Sequence, residues 1–150
     1  MLIGQYSHNV DAKGRVFIPA KWRDDLGDTI IFTHGIREKE GSKCLLGMSV
    51  NAFEEFRAKI SAMDRIMDLK TQPARRMLLA NADDCELDKQ GRVLLANRLR
   101  DYAGITKDVV LVGVDSYIEV WDCEAWAEYC RKWENGELEP GFEYMDGGNA

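Results

Sequence analysis

The sequence predicts a mixed α+β fold, mainly β with helices, built from two copies of one half-unit. Three observations predict it. A nine-residue phrase occurs twice, as Val10-Asp11-Ala12-Lys13-Gly14-Arg15-Val16-Phe17-Ile18 and as Leu87-Asp88-Lys89-Gln90-Gly91-Arg92-Val93-Leu94-Leu95. Each copy leads into short runs rich in β-branched, aromatic and leucine residues bounded by glycine and polar residues, the composition of strands. Each copy ends on a longer segment with apolar residues three and four apart, the period of an amphipathic helix. A constant offset of 77 residues holds across the identical pairs Asp11/Asp88, Gly14/Gly91, Arg15/Arg92, Val16/Val93, Arg23/Arg100, Asp24/Asp101 and Gly27/Gly104. A match of that density is an internal repeat.

The repeated phrase reads as a β-hairpin whose tip carries Asp, Gly and Arg. In Asp-x-x-Gly the carboxylate bonds backbone two residues on, and glycine supplies the positive φ that closes the loop. Asp and Arg then stand near the tip on opposite arms, close enough to pair. A single surface ion pair contributes little stability; its repetition, with basic neighbours, points to function instead.

In chain order, residues 1–10 lead into the first hairpin with Ile3, Tyr6 and Val10 inward. Pro19 suits the first position of a helix, where its missing N–H is an orphan in any case. That helix runs to Leu26 and ends at Gly27. Trp22 and Leu26, and in the second copy Leu99 and Ala103, face inward, which leaves Lys21, Arg23, Arg98 and Arg100 toward water or a partner. Thr29-Ile30-Ile31-Phe32-Thr33 and Val109-Val110-Leu111-Val112 read as matched strands, as do Cys44-Leu45-Leu46-Gly47-Met48 and Tyr117-Ile118-Glu119-Val120-Trp121. A polar loop spans residues 34–43 and shortens to 113–116 in the second copy. Ser49 and Asp122 are N-caps for the helices that follow.

The first of those helices carries Phe53, Phe56, Ile60, Met63 and Met67, a stripe suited equally to covering the strands or to meeting another subunit. Its outer face holds Arg57, Lys59, Arg65 and Lys70. Trp126, Cys130 and Trp133 form the matching stripe in the second copy and read as packing. A cationic helix through Arg75, Arg76, Met77, Leu78 and Leu79 bridges the copies. The expected organisation is therefore a first repeat with its helix over 1–70, the bridging helix with the second repeat over 71–133, and a loose acidic tail over 134–150, within one integrated domain.

The net charge of −6 opposes a nucleic-acid partner at first sight. Five acids, Glu134, Glu137, Glu139, Glu143 and Asp146, sit in the last seventeen residues without a base, and the rest of the chain is nearly neutral at −1. Phosphate attraction depends on the field within about 10 Å, so a local positive surface remains compatible with this total. No basic and apolar leader opens the chain, and no apolar run approaches the roughly 18 residues of a membrane span, so a cytoplasmic protein is expected. Cys44, Cys85, Cys123 and Cys130 form no Cys-x-x-Cys pair and stand at no ligand spacing to His8 or His34, so neither a metal site nor a cofactor is expected.

The pattern Asp-x-x-Gly-Arg, an apolar triplet with proline, and a short helix ending in glycine resembles the AbrB-like swapped-hairpin DNA-binding domains. Two such copies, each followed by an amphipathic helix, are similar to the MraZ family of bacterial transcriptional regulators. The resemblance covers residues 1–133 and is carried by Gly4-Gln5-Tyr6, Asp11-Ala12-Lys13-Gly14-Arg15, Ile18-Pro19, Ala74-Arg75-Arg76, Asp88-Lys89-Gln90-Gly91-Arg92 and Ile118-Glu119-Val120-Trp121. It implies a double-split β-barrel made from two AbrB-like repeats, assembled into a ring of subunits on the nucleoid. It further implies a repressor of the division and cell-wall gene cluster, its own included, that binds short direct repeats upstream.

Carried over by residue, the DNA-contacting motif falls on Asp11, Gly14 and Arg15 and again on Asp88 and Arg92. Arg15 is the candidate for guanine, Lys13 for phosphate, and Arg23, Arg75 and Arg76 for further phosphates. Two positions depart from the repeat: Ala96 stands where Pro19 has its counterpart, and Gln90 where Lys13 has its own. The expected partners are double-stranded DNA and further copies of the chain, with no membrane and no small-molecule substrate. Two other classes are weighed. A small barrel enzyme lacks a base beside a nucleophile, Ser7-His8 having no orienting acid in pattern. An interaction module of antitoxin type would use the tail, where Leu138, Phe142, Tyr144 and Met145 stand among acids.

Overall fold

A computed structural model of the chain describes residues 1–35, 43–63 and 70–141. One order of elements occurs twice. The first copy contains β1 (Gln5–Asn9), β2 (Arg15–Phe17), α1 (Ala20–Leu26), β3 (Thr29–His34), β4 (Leu45–Ser49) and α2 (Val50–Met63). After the bridging helix α3 (Gln72–Ala80) come β5 (Asp83–Glu86), β6 (Arg92–Leu94), α4 (Asn97–Ala103), β7 (Asp108–Gly113), β8 (Ile118–Asp122) and α5 (Cys123–Glu134). The inner strands β3, β4, β7 and β8 fall within one residue of expectation at each end. Ser49 and Asp122 cap as their chemistry requires, Oγ accepting from Ala52 N–H and Oδ2 from Ala125 N–H, both at 3.1 Å.

The pairing of the strands differs from the two separate hairpins expected. An antiparallel six-stranded sheet has the order β1-β7-β8-β4-β3-β5, and β2 pairs with β6 in a two-stranded ribbon. β1 therefore ladders with the second copy and β5 with the first. The arms of each tip part after the turn, and each arm is completed by the other copy. Ladder hydrogen bonds join backbone groups and are indifferent to which segment supplies the partner; the exchange wins because it sends Val16, Ile18, Val93 and Leu95 into one core. The implied barrel is likewise corrected to an open sheet with a separate ribbon, and no closed barrel forms among the described residues.

That core lies between one face of the sheet and the ribbon with α1 and α4. Trp22 fills it, its ring set edge-on to Tyr6 at 5.0 Å and its Nε1 donating to the Ile3 carbonyl at 3.1 Å. Ile3 itself is exposed and Leu2 is buried, the reverse of the expected inward set. Alternation along an extended segment explains this, because Tyr6 and Val10 inward place even-numbered residues inward. Pro19 precedes α1 as its N-cap instead of opening it, and Ala96 holds the same conformation ahead of α4, φ −58° and ψ 145° against −53° and 134°.

The opposite face of the sheet is covered by α2 and α3. Leu46, Met48 and Phe53 pack there with Phe56 and Leu79. The α2 stripe thus covers strands through Phe53 and Phe56; Arg65, Met67 and the Met63 side chain lie outside the described residues, as do Phe142, Glu143, Tyr144, Met145 and Asp146 of the tail. On α5, Trp126 packs against Trp121 at 5.3 Å, whereas Trp133 is half exposed. No described helix is long and apolar enough to cross a membrane.

Candidate nucleic-acid interface

The two tips are chemically alike. Asp11 Oδ1 accepts the backbone N–H of Lys13 at 3.0 Å and of Arg15 at 2.8 Å, while Oδ2 accepts Arg15 Nε at 2.7 Å. Asp88 repeats the set with Gln90 N–H, Arg92 N–H and Arg92 Nε, each at 2.9 Å. Gly14 at φ +93° and Gly91 at φ +81° close the turns in a region that L side chains rarely adopt. Donors converging on a carboxylate favour its charged form. The Arg15 backbone N–H above all, joined by its side chain and by Lys13 N–H, holds Asp11 down at about 2. Asp88 is lowered for the same reason, first by the Arg92 backbone N–H. Each arginine is thereby fixed through Nε, and its Nη groups take no part in that bond.

The fold joins the tips into one surface. Ile18 N–H donates to the Gly91 carbonyl and Leu95 N–H to the Gly14 carbonyl, both at 2.9 Å. The ribbon register sets Arg15 opposite Leu94, Val16 opposite Val93 and Phe17 opposite Arg92. Residues directly opposite share a face, and successive residues alternate. Val16 and Val93 point into the core, so Arg15, Phe17, Arg92 and Leu94 form the outward face. Arg92 reaches across the copies: its Nη1 lies 3.7 Å from Asp11 Oδ2, and its guanidinium sits 5.8 Å from the Phe17 ring centre. The Arg15 side chain is 32% exposed and that of Arg92 19%, so both remain accessible and Arg92 is the more enclosed.

Arg23, expected to face water or a partner, is half-buried and committed to the backbone. Its Nε and Nη2 donate to the Ile18 carbonyl at 3.1 and 2.9 Å, and its guanidinium lies directly beneath Gly91 of the other copy. Arg100 does the same with the Leu95 carbonyl at 3.1 Å and lies beneath Gly14. The pair buttresses the tips from behind. Asp11, Lys13, Gly14, Arg15, Asp88, Arg92 and Arg23 are therefore brought together. Arg75 and Arg76 are not: they stand on α3, over the opposite face of the sheet. Sequence reading assigned no role at the tips to Lys89, Arg100, Phe17 or Leu94. Lys89 restores at its own position the charge missing at Gln90, the identity Arg23/Arg100 signalled the buttress, and Phe17 and Leu94 add apolar surface to the outward face. The tips carry Lys13, Arg15, Lys89 and Arg92 against Asp11 and Asp88, with two further guanidinia beneath, a local positive excess in a chain of net charge −6.

None of the four cysteines is in a disulfide, and burial, reinforced by Asp83, pushes Cys85 up to about 12. No group of His, Cys, Asp or Glu suited to a metal ion occurs among the described residues.

The family described as "MraZ protein, putative antitoxin-like" matches residues 1–76 and 78–145. Proteins named "Transcriptional regulator MraZ" are similar over most of their length. That of Thermoanaerobacter pseudethanolicus is 43% identical over 132 residues, 86% of each chain, and that of Carboxydothermus hydrogenoformans is 44% identical over 133 residues, 87% of each. A third, from Symbiobacterium thermophilum, is 42% identical over 139 residues, 91% of this chain and 93% of that one.

Proposed function

The chain belongs to the MraZ family, and from that premise we propose that it is a sequence-specific, DNA-binding transcriptional repressor whose β2–β6 ribbon enters the major groove. One observation carries the reading: both tips converge on a single outward face that presents two arginines already oriented by aspartates. A two-stranded ribbon fits the major groove, and a guanidinium fork matches guanine O6 and N7, each good pair discriminating by about 1–3 kcal/mol. Arg15 is the principal reader, Arg92 the second, and Asp11 and Asp88 hold their guanidinia so that less side-chain freedom is lost on binding. Lys13 and Lys89 neutralise phosphates, and Arg23 acts from behind the tip. Arg75 and Arg76 meet DNA only where assembly brings α3 to it.

A single face of this size binds weakly. A ring of subunits on evenly spaced direct repeats gains affinity through effective concentration. The target proposed is the promoter of the division and cell-wall gene cluster that includes the chain's own gene, with the protein acting in the cytoplasm on the nucleoid and without catalytic activity.

The test is a mobility-shift assay on that upstream region against scrambled DNA. Arg15→Ala is expected to lose the discrimination while keeping its assembled size in light scattering, and Arg92→Ala to weaken it. Wild-type affinity is expected to fall steeply as salt rises from 50 to 200 mM. Arg15→Ala that still prefers the operator refutes the reading. The words "putative antitoxin-like" in the family's description favour a second reading, a protein-binding module. It requires a tight protein complex that Arg15→Ala leaves unchanged.

A further inference from the structure

We propose that Phe17 and Leu94 read the C5-methyl groups of thymines lying beside the bases held by Arg15 and Arg92, so that the ribbon selects guanine–thymine steps. This rests on the DNA-binding reading above and adds to it the base chemistry of the site.

The outward face of an exposed ribbon is ordinarily polar, because the other face has already been spent on the core. Here it carries two large apolar side chains, Phe17 at 44% exposure and Leu94 at 55%. Single exposed apolar residues are common and need no explanation. These two are distinguished by register: Leu94 stands directly opposite Arg15, and Phe17 directly opposite Arg92. The repeat has therefore kept one outward arginine and one outward apolar residue in each copy, at positions 15 and 17 and at 92 and 94.

Spacing connects that pattern to DNA. Opposite side chains in an antiparallel pair are about 4.5–5.5 Å apart at Cβ, and residues two apart on a strand are about 7 Å apart. Base pairs rise about 3.4 Å each along a strand. An arginine seated on one guanine thus places its cross-strand apolar neighbour over an adjacent base pair, and the one on its own strand two steps away. Among the four bases only thymine shows an apolar group in the major groove, its C5-methyl beside the O4 acceptor. Guanine offers acceptors alone, which suit the arginine and repel nothing from it. Phe17 is also held in place before binding, with the Arg92 guanidinium 5.8 Å and the His8 ring 6.2 Å from its ring centre. A ring so placed loses little freedom when it covers a methyl group.

The experiment uses the full chain and a duplex that it enriches from a random-sequence library. That duplex is synthesised again with deoxyuridine in place of each thymine, one position at a time, which removes only the methyl group. Binding is followed by fluorescence anisotropy for the wild type, Phe17→Ala, Leu94→Ala and Arg15→Ala. The wild type is expected to lose about fourfold in affinity at each thymine whose methyl is covered, the equivalent of one buried methylene. Phe17→Ala is expected to become indifferent to uracil at one such position and Leu94→Ala at another, with unchanged salt dependence and assembled size. Uracil duplexes bound as tightly as thymine duplexes by the wild type overturn this inference. Loss of selectivity by Arg15→Ala in the same experiment leaves the DNA-binding reading standing. Failure to enrich any duplex overturns both. A change of assembled size in Phe17→Ala marks the face as a contact between subunits and also overturns the inference.

Discussion

Replacing Gly91 by alanine tests whether Arg23 supports the tip of the opposite copy. At φ +81° an L residue is strained by about 1–2 kcal/mol. A Cβ at this position stands 2.2 Å from Arg23 Nη2 and 2.4 Å from its Cζ, so the guanidinium must leave. A long side chain moves easily, and the cost lies in what it abandons: the two hydrogen bonds to the Ile18 carbonyl, at 3.1 and 2.9 Å. From a half-buried position that loss is about 1–2 kcal/mol. The sum of about 2–4 kcal/mol is a large part of an ordinary domain's 5–15 kcal/mol, and corresponds to a fall in Tm of about 10 °C for a chain of this size. Gly104 supplies the control, with φ +66° and nothing within 4 Å of an added Cβ, so Gly104→Ala carries only the backbone strain. Thermal and urea unfolding, at one protein concentration because assembly contributes to stability, compare both variants with Arg23→Ala and with the double variant. Gly91→Ala is expected to cost more than Gly104→Ala, and less when Arg23 is already absent. Equal costs for the two glycine variants, or strict additivity with Arg23→Ala, refute the buttress.

Three further outcomes follow from the same contacts. Trp22→Ala removes a side chain 2% exposed together with its bond to the Ile3 carbonyl, and should cost about 3–5 kcal/mol in urea unfolding. Ala96→Pro should raise stability by about 0.4–1 kcal/mol, because φ −58° already suits proline and Pro19 occupies the equivalent place; a scanning calorimeter reads the gain. The pH profile should show two acid effects. Burial, with Arg98 and Lys43 nearby, keeps His34 below its ordinary 6.5, so the unfolded chain takes up that proton first. The His34 contribution to stability is then constant above pH 6.5 and declines below it, and His34→Gln removes that decline. Asp11 at about 2, against 3.8, keeps the first tip intact until the pH falls below about 4 and releases it toward 2; the Arg15 amide resonance followed by NMR reports the change, and Asp11→Asn abolishes it.

What the sequence determined by itself is what neighbours along the chain decide. The Asp-x-x-Gly turns, the cap at Asp122 and the end of α1 at Gly27 rest on contacts within about five residues, and the inward pair Trp22 and Leu26 and the extent of the inner strands follow from local composition and period. The doubling of the phrase announced a surface with two like tips. Parity applied loosely put Ile3 inward, and helical position alone put Arg23 toward water or a partner, where the fold turns it onto the Ile18 carbonyl. Tertiary structure decided which strands pair, because backbone donors and acceptors carry no label of the segment they belong to. It was the common burial of Val16, Ile18, Val93 and Leu95 that drew the arms of the two tips apart and made them exchange partners. That exchange put Arg23 beneath Gly91, Arg92 beside Asp11 and Phe17, and both tips on one face, contacts between residues about 70 or more positions apart that no local pattern encodes.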